Sequence, residues 1–155
     1  MSNIIERSLV VAKPDAIQRG YIGEIISRFE RRGLKLISAK FVHVTRDFAE
    51  KHYHVHKGKP FYKGLVNYII SAPVLAMIWE GENSITAIRQ TVGSTDPLDA
   101  APGTIRHDLA LLTSRNLIHA SDSSENAEKE IALWFDPSEI HSWDQSNDQW
   151  IYGKN

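Results

Sequence analysis

Cysteine is absent from the 155 residues. Disulfides and thiolate metal sites are thereby excluded, and the composition fits a reducing compartment. Long apolar runs are absent too. The longest uninterrupted stretch, Val74 to Trp79, is far too short to cross a bilayer. Neither sign of charge dominates: 18 Lys and Arg face 19 Asp and Glu, for a formal net charge of −1. No global basic field exists to hold a nucleic-acid backbone, although a local basic site for a small anion remains open. Met1-Ser2-Asn3 carries no charged-then-apolar leader, so the expectation is a cytoplasmic protein with neither membrane nor nucleic acid as partner. No repeat of solenoid period occurs. Two phosphate-binding signatures are also missing: G-x-x-x-x-G-K followed by Ser or Thr, and G-x-G-x-x-G. A chain of this kind that moves phosphate does so without a P-loop or a glycine-rich kinase loop.

What is present is ordinary globular material, 42% hydrophobic and 24% charged, too apolar and too neutral for disorder. A chain of this length buries about two-thirds of its unfolded surface, so one domain over residues 1–155 with one real core is expected. Leu9 to Ala12 is a short apolar run ending at Lys13-Pro14-Asp15, where proline stops a ladder; it reads as a buried strand ending at a lysine. Ile22, Ile25, Ile26 and Phe29 recur at helical spacing, and Gly33 is a natural stop. Leu34 to Val44 reads as a long strand with Ile37, Ala39 and Phe41 on one face. Thr45 is placed to cap a helix, and Phe61, Leu65 and Ile69 resume helical spacing after Gly58 and Pro60. Val74 to Trp79 is a strand, and Ile85, Ile88 and Val92 form a helix stripe that stops near Gly93. Residues 93–108 have no usable period, and structureless segments this long are usually functional. Leu117 to Ala120 is a short strand. Asp122 and Glu125 form a variant capping box ahead of Ala127, Ile131 and Trp134, and the tail after Pro137, with Trp143 and Trp150, is irregular. Strands alternating with helices predict an α/β sandwich built from a repeated split βαβ unit.

Seven histidines are candidates for chemistry near neutral pH. His52, His54 and His56 invite a metal reading, but no carboxylate lies beside them at ligand spacing, so a solvated or partly packed cluster is the competing reading. His119 ends a short apolar run directly before Ser121-Asp122-Ser123-Ser124 and a helix start, where free amides favour anions. A nucleophile there suits attack on phosphorus; a strand-end histidine satisfied by backbone fits the same spacing. Lys13, Arg89 and Arg106 are placed to meet an anion only if the fold brings them together.

Several strings resemble the signatures of nucleoside diphosphate kinases: Lys13-Pro14-Asp15, Pro102-Gly103-Thr104-Ile105-Arg106, and Asn116-Leu117-Ile118-His119-Ala120-Ser121-Asp122-Ser123. His52-Tyr53, Gly58-Lys59-Pro60-Phe61, Trp79-Glu80-Gly81 and Ala127-Glu128-Lys129-Glu130-Ile131 are similar too, in the family's order, over residues 7 to 150. The resemblance implies a ferredoxin-like sandwich, a four-stranded antiparallel sheet with helices packed on it. It implies transfer of phosphate from nucleoside triphosphates to nucleoside diphosphates with magnesium, held mainly by the nucleotide's own phosphates. It further implies a homo-oligomer, hexamer favoured over tetramer. His119 matches the nucleophile and Glu130 the carboxylate behind it. Lys13 and Asn116 match sugar contacts, with Lys13 also near the phosphates. Arg89, Thr95 and Arg106 match the phosphate clamp, Tyr53 and His56 its neighbours, and Phe61 the ring under the base with Leu65 beside it. Two positions depart from the family's pattern: Ala120, where glycine is usual, and His107, where small residues are usual. The competing readings are a non-catalytic nucleotide-binding or regulatory relative and a nucleic-acid-binding sandwich. The intact set of charged residues opposes the first, and the missing basic excess opposes the second.

Overall fold

The run Leu9–Ala12 is apolar at every position because both faces of its strand are covered. In the computed structural model, which describes residues 4–153, it is the end of β1 (Ile5–Ala12), an inner strand. Val10 and Ala12 enter one hydrophobic cluster, and Leu9 and Val11 enter the other. A strand buried on two sides loses the apolar–polar alternation that a half-exposed strand keeps.

Among the described residues, four antiparallel strands form one sheet in the order β2-β3-β1-β4, with β2 Lys35–Val42, β3 Val74–Glu82 and β4 Ile118–Ala120. This is the ferredoxin-like arrangement of two interleaved split βαβ units. The crossing helices α2 (Ile22–Arg31) and α5 (Ser84–Val92) bury Ile25, Phe29, Ile88 and Val92 on one face. The short α1 (Pro14–Gln18) joins them there through Ala16. On the other face lie α3 (Arg46–His52), α4 (Tyr62–Ile69) and α7 (Ser124–Trp134), through Ala49, Val66, Ile69 and Trp134. Thr45 caps α3 as its sequence position suggests, its hydroxyl accepting from Phe48 N–H at 3.2 Å.

Several expectations are corrected. Ile37, Ala39 and Phe41 do not share a buried face. Leu36 pairs with Trp79 and Ser38 with Ile78, so Ile37 is an extra, bulged residue. Because side chains alternate along a strand, one inserted residue exchanges the faces of those that follow. Ile37 is buried, whereas Ala39 and Phe41 are exposed. Strands β1 and β3 run beyond their apolar runs because polar residues also pair there, Arg7 with Glu80 at 2.9 Å. Segment 93–108 is not wholly irregular: it holds a 3-10 turn, Pro97–Asp99, and the start of α6 (Ile105–Leu109), too short to show a period. Helix α7 is capped by Ser123, whose hydroxyl accepts from Asn126 N–H at 3.1 Å; the Asp122 carboxylate takes the Asn126 side chain instead. The tail contains a capped 3-10 turn at Pro137–Glu139 and α8 (Asp148–Tyr152). No helix among the described residues is long and apolar enough to cross a membrane.

Candidate active site

His119 sits opposite Val11 in the β1–β4 ladder, while its neighbours Ile118 and Ala120 turn into the cluster under α2 and α5. Alternation therefore sends the imidazole to the opposite face, toward α3 and α7. There Nε2 lies 2.8 Å from Glu130 Oε2 of α7. The oxygen sits off the N–H axis, a misalignment that commonly tightens when substrate binds. With the carboxylate on Nε2, Nδ1 is the nitrogen left with its lone pair.

Glu130 is itself held. Ser121, fully buried, donates its hydroxyl to Glu130 Oε1 at 2.6 Å and accepts from Leu9 N–H at 3.0 Å. Burial pushes the Glu130 carboxyl up. The contact with His119, its charge and the Ser121 hydroxyl outweigh that, so the pKa lies below the usual value. The carboxylate stays ionised at neutral pH.

The cations converge beside this pair. Lys13, where β1 ends at Pro14, donates through Nζ to Asn116 Oδ1 at 2.9 Å, and Asn116 Nδ2 donates to the Thr95 carbonyl at 2.9 Å. Burial, then the charge of Arg106, pulls the Lys13 ammonium down to about 8, against an upward pull from Asp15. Arg106 is buried at the start of α6 and donates to the carbonyls of Asn116 (3.3 Å), Gly93 (3.1 Å) and Ile118 (2.6 Å). Burial and the nearby Arg89 lower its pKa to about 10. These bonds occupy three of its N–H donors, and guanidinium has five, so about two remain for a ligand. Arg89 of α5 donates to the Ala120 carbonyl at 3.2 Å. Gly93 makes the approach of α5 and α6 possible: its φ is +93°, and a Cβ there would meet Thr104 Oγ1 at 2.6 Å.

A row of rings forms the opposite wall. Phe61, half-exposed, lies 5.3 Å from His56, His56 6.4 Å from Tyr53, Tyr53 4.6 Å from His52, and His52 5.0 Å from His119. Burial raises the Tyr53 hydroxyl to about 12. Burial and Lys59 lower His56. Leu65, one turn along α4 from Phe61, packs partly into the core. A cavity of about 560 Å³ between α7, the start of β1 and Pro137 contains none of these residues.

The arrangement joins an imidazole with a held tautomer, three cations and an exposed ring. A model of the nucleoside diphosphate kinase family matches residues 6–140. The chain is 54% identical to a nucleoside diphosphate kinase of Synechococcus over 145 residues, 94% of this chain and 95% of that one. It is 50% identical to the Archaeoglobus fulgidus protein of that name over 148 residues, 96% of this chain and 98% of the other. The structure of the Halobacterium salinarum nucleoside diphosphate kinase, solved with CDP, superposes with a TM-score of 0.93 at 46% identity, covering 96% of this chain and 99% of that one.

The chain belongs to the nucleoside diphosphate kinase family.

Its two departures from the pattern of nucleoside diphosphate kinases are Ala120, directly after His119, and His107, directly after Arg106. Ala120 is buried and reaches Arg89 through its carbonyl, a bond that needs no particular side chain. His107 is exposed, with Nδ1 3.0 Å from the Ala100 carbonyl. Sequence reasoning missed two members of the site. Ser121 lies within the string that carries the resemblance, but nothing in spacing shows that it reaches Glu130. By sequence His52 is a ligand candidate and part of the His52-Tyr53 string, with no role of its own beside His119. The fold separates it from exposed His54 and packs it between His119 and Trp134.

Proposed function

We propose that His119 is the nucleophile by which this nucleoside diphosphate kinase family member carries the terminal phosphate from a nucleoside triphosphate to a nucleoside diphosphate. The observation that carries the reading is the Glu130 carboxylate, 2.8 Å from Nε2, which assigns the proton to that nitrogen. The Nδ1 lone pair forms a bond to the terminal phosphorus. The bond from that phosphorus to the bridging oxygen breaks, and the diphosphate leaves with the electron pair. The imidazole keeps its Nε2 proton, and Glu130 balances the positive charge that the ring acquires. A diphosphate then binds, and its terminal oxygen attacks the phosphohistidine, restoring the imidazole. Two half-reactions at one site give ping-pong kinetics.

Lys13, Arg89 and Arg106 fit the charge dispersed over the transferring group, because fixed cations stabilise it without reorganising. Thr95 and Asn116 join them around the phosphates and sugar, with Tyr53 and His56 on the facing wall. Among the described residues no group of three His, Asp or Glu side chains is arranged to hold a metal ion. Magnesium, held mainly by the nucleotide's own phosphates, belongs to the proposal as a neutraliser of phosphate charge. Phe61 offers a ring to stack any base, with Leu65 beneath, which supports loose base specificity.

The same proposal includes a homo-oligomer, hexamer favoured over tetramer, working in the cytoplasm. Two separate apolar surfaces support the assembly: exposed Phe41 on the edge strand β2, and exposed Leu98, Leu111 and Leu112 around the 93–115 segment. The cysteine-free sequence supports the compartment.

The test is incubation with labelled ATP and no acceptor. One acid-labile, alkali-stable phosphate per chain on His119, lost in His119→Ala and discharged by an added nucleoside diphosphate, is expected. Label on a serine, or label retained by His119→Ala, refutes the mechanism.

A further inference from the structure

Leu117 is buried and has a φ of +74°, in the left-handed region that side chains rarely adopt. It is the middle of a three-residue turn closed by Ile118 N–H donating to the Asn116 carbonyl at 2.9 Å. Both flanks of this strained turn belong to the site. Asn116 takes Lys13 Nζ, the carbonyls of Asn116 and Ile118 take Arg106, and His119 follows directly. The turn is held from α1. Leu117 N–H donates to Asp15 Oδ2 at 3.0 Å, and the Leu117 carbonyl accepts from Lys13 N–H at 2.8 Å. The other Asp15 oxygen accepts a hydrogen bond from the Tyr68 hydroxyl of α4. Asp15 N–H donates back to the Tyr68 oxygen at 3.3 Å, and the Arg115 guanidinium lies 4.2 Å from the centre of the Tyr68 ring. One carboxylate thus ties α1 and α4 to the segment that leads into β4.

We propose that Asp15, aimed by Tyr68, is a positioning residue for phosphoryl transfer: it holds the Leu117 turn so that Lys13, Asn116 and His119 meet the nucleotide in one register. The inference rests on His119 being the nucleophile. Nothing in Asp15's bonding requires that it touch the substrate; it acts through the backbone between two groups that do. It has a second effect through charge. Lys13 faces Arg106 from α6, His52 from α3 and Asp15 from α1, so Asp15 is the anion among them.

The experiment is single-turnover phosphorylation of the full chain by magnesium-ATP, comparing wild type, Asp15→Asn and Tyr68→Phe, each checked for folding by circular dichroism and melting. Asparagine keeps the size of the side chain and one acceptor but removes the charge and the second acceptor. In Asp15→Asn, phosphorylation of His119 slows by about tenfold or more, while half-saturating ATP changes by less than about threefold, the mark of lost alignment rather than lost binding. The alkaline limb of its pH profile moves to lower pH, because Lys13 has lost its anionic neighbour. Tyr68→Phe slows the same step by about threefold and leaves that limb in place, since the carboxylate remains. Wild-type phosphorylation rates in folded variants overturn the proposal, as does a loss confined to ATP affinity. If Asp15→Asn does not fold, Tyr68→Phe decides alone, and an unchanged rate rejects the role. Absence of phosphate from His119 in the wild-type chain is the separate failure of the mechanism itself.

Discussion

His52 stands edge-on to His119, their ring centroids 5.0 Å apart and their planes at 82°. On its other side Trp134 donates its indole N–H to His52 Nδ1 at 3.0 Å, so the single proton of a neutral His52 is on Nε2. Burial, then the neighbouring His119, Lys13 and His56, holds its pKa well below the ordinary value, and the ring stays neutral throughout the working range. His52→Ala leaves the Trp134 donor without its partner, a cost of about 1–3 kcal/mol. It also removes one wall from the His119 ring, and phosphorylation falls by about tenfold. Denaturant melts and single-turnover labelling measure the two effects. Wild-type labelling in the folded variant would show that Glu130 alone orients the nucleophile.

The two arginines do different work, so their removal has different consequences. Arg106 is buried and donates to the carbonyls of Gly93, Asn116 and Ile118, whereas Arg89 donates to Ala120. Arg106→Ala removes three charge-assisted hydrogen bonds, each contributing about 1.5–3 kcal/mol, although the Asn116 carbonyl keeps Ile118 N–H, and so lowers stability as well as rate. Arg89→Ala slows turnover by about a hundredfold with little change in melting temperature. Equal melting temperatures for the two variants would contradict this division.

Lys13 carries a pH signature. Its ammonium is pulled down to about 8 by burial and then by Arg106, so the cation is present below that pH and lost as pH rises through it. The value for kcat/KM, which reports the free enzyme, therefore declines above about pH 8. Bound phosphates favour the charged lysine, so kcat holds to higher pH than kcat/KM. A kcat/KM that stays flat well into the alkaline range would exclude a charged Lys13 from nucleotide capture.

Assembly is tested at the sheet edge. The C-terminal segment covers the first half of β2, His141 N–H donating to Ile37 O at 2.9 Å and Trp143 Nε1 to Leu36 O at 2.9 Å. Beyond that cover Ala39 and Phe41 remain exposed on an edge strand, a ready template for a second copy. Phe41→Glu places a charge on that edge and yields a smaller assembly by light scattering after gel filtration. A wild-type mass near 17.5 kDa, the single chain, with full activity rejects an obligate oligomer.

Much of the fold was legible because its elements are encoded locally. Helices α2, α5 and α7 show their apolar stripes, and Thr45 and Gly33 mark ends through side-chain and backbone chemistry confined to a few neighbouring residues. The bulge at Ile37 was not legible, because an inserted residue leaves the apolar spelling of Leu34 to Val44 unchanged and shows only against the partner strand. Helix α6 escaped because five residues make too little of a turn to repeat a pattern.

For the candidate site, the sequence by itself supplied the candidate groups: one histidine in a distinctive string, a glutamate eleven positions on, and three cations scattered over the chain. Chemistry resides in side chains, and side chains are spelled out. Only the tertiary structure decided which atoms meet. The alternation of β4 turns His119 toward α7 rather than α5, so that Glu130 reaches Nε2 and Nδ1 is left with its lone pair. The pairing of β1 with β4 brings Leu9 to Ser121, 112 residues apart, and so locks Glu130. The turn at Leu117 takes its shape from Asp15, 102 residues away. Distances of this kind are set by the sheet's register and by packing across its faces, which depend on many residues at once and are written in no single stretch of sequence.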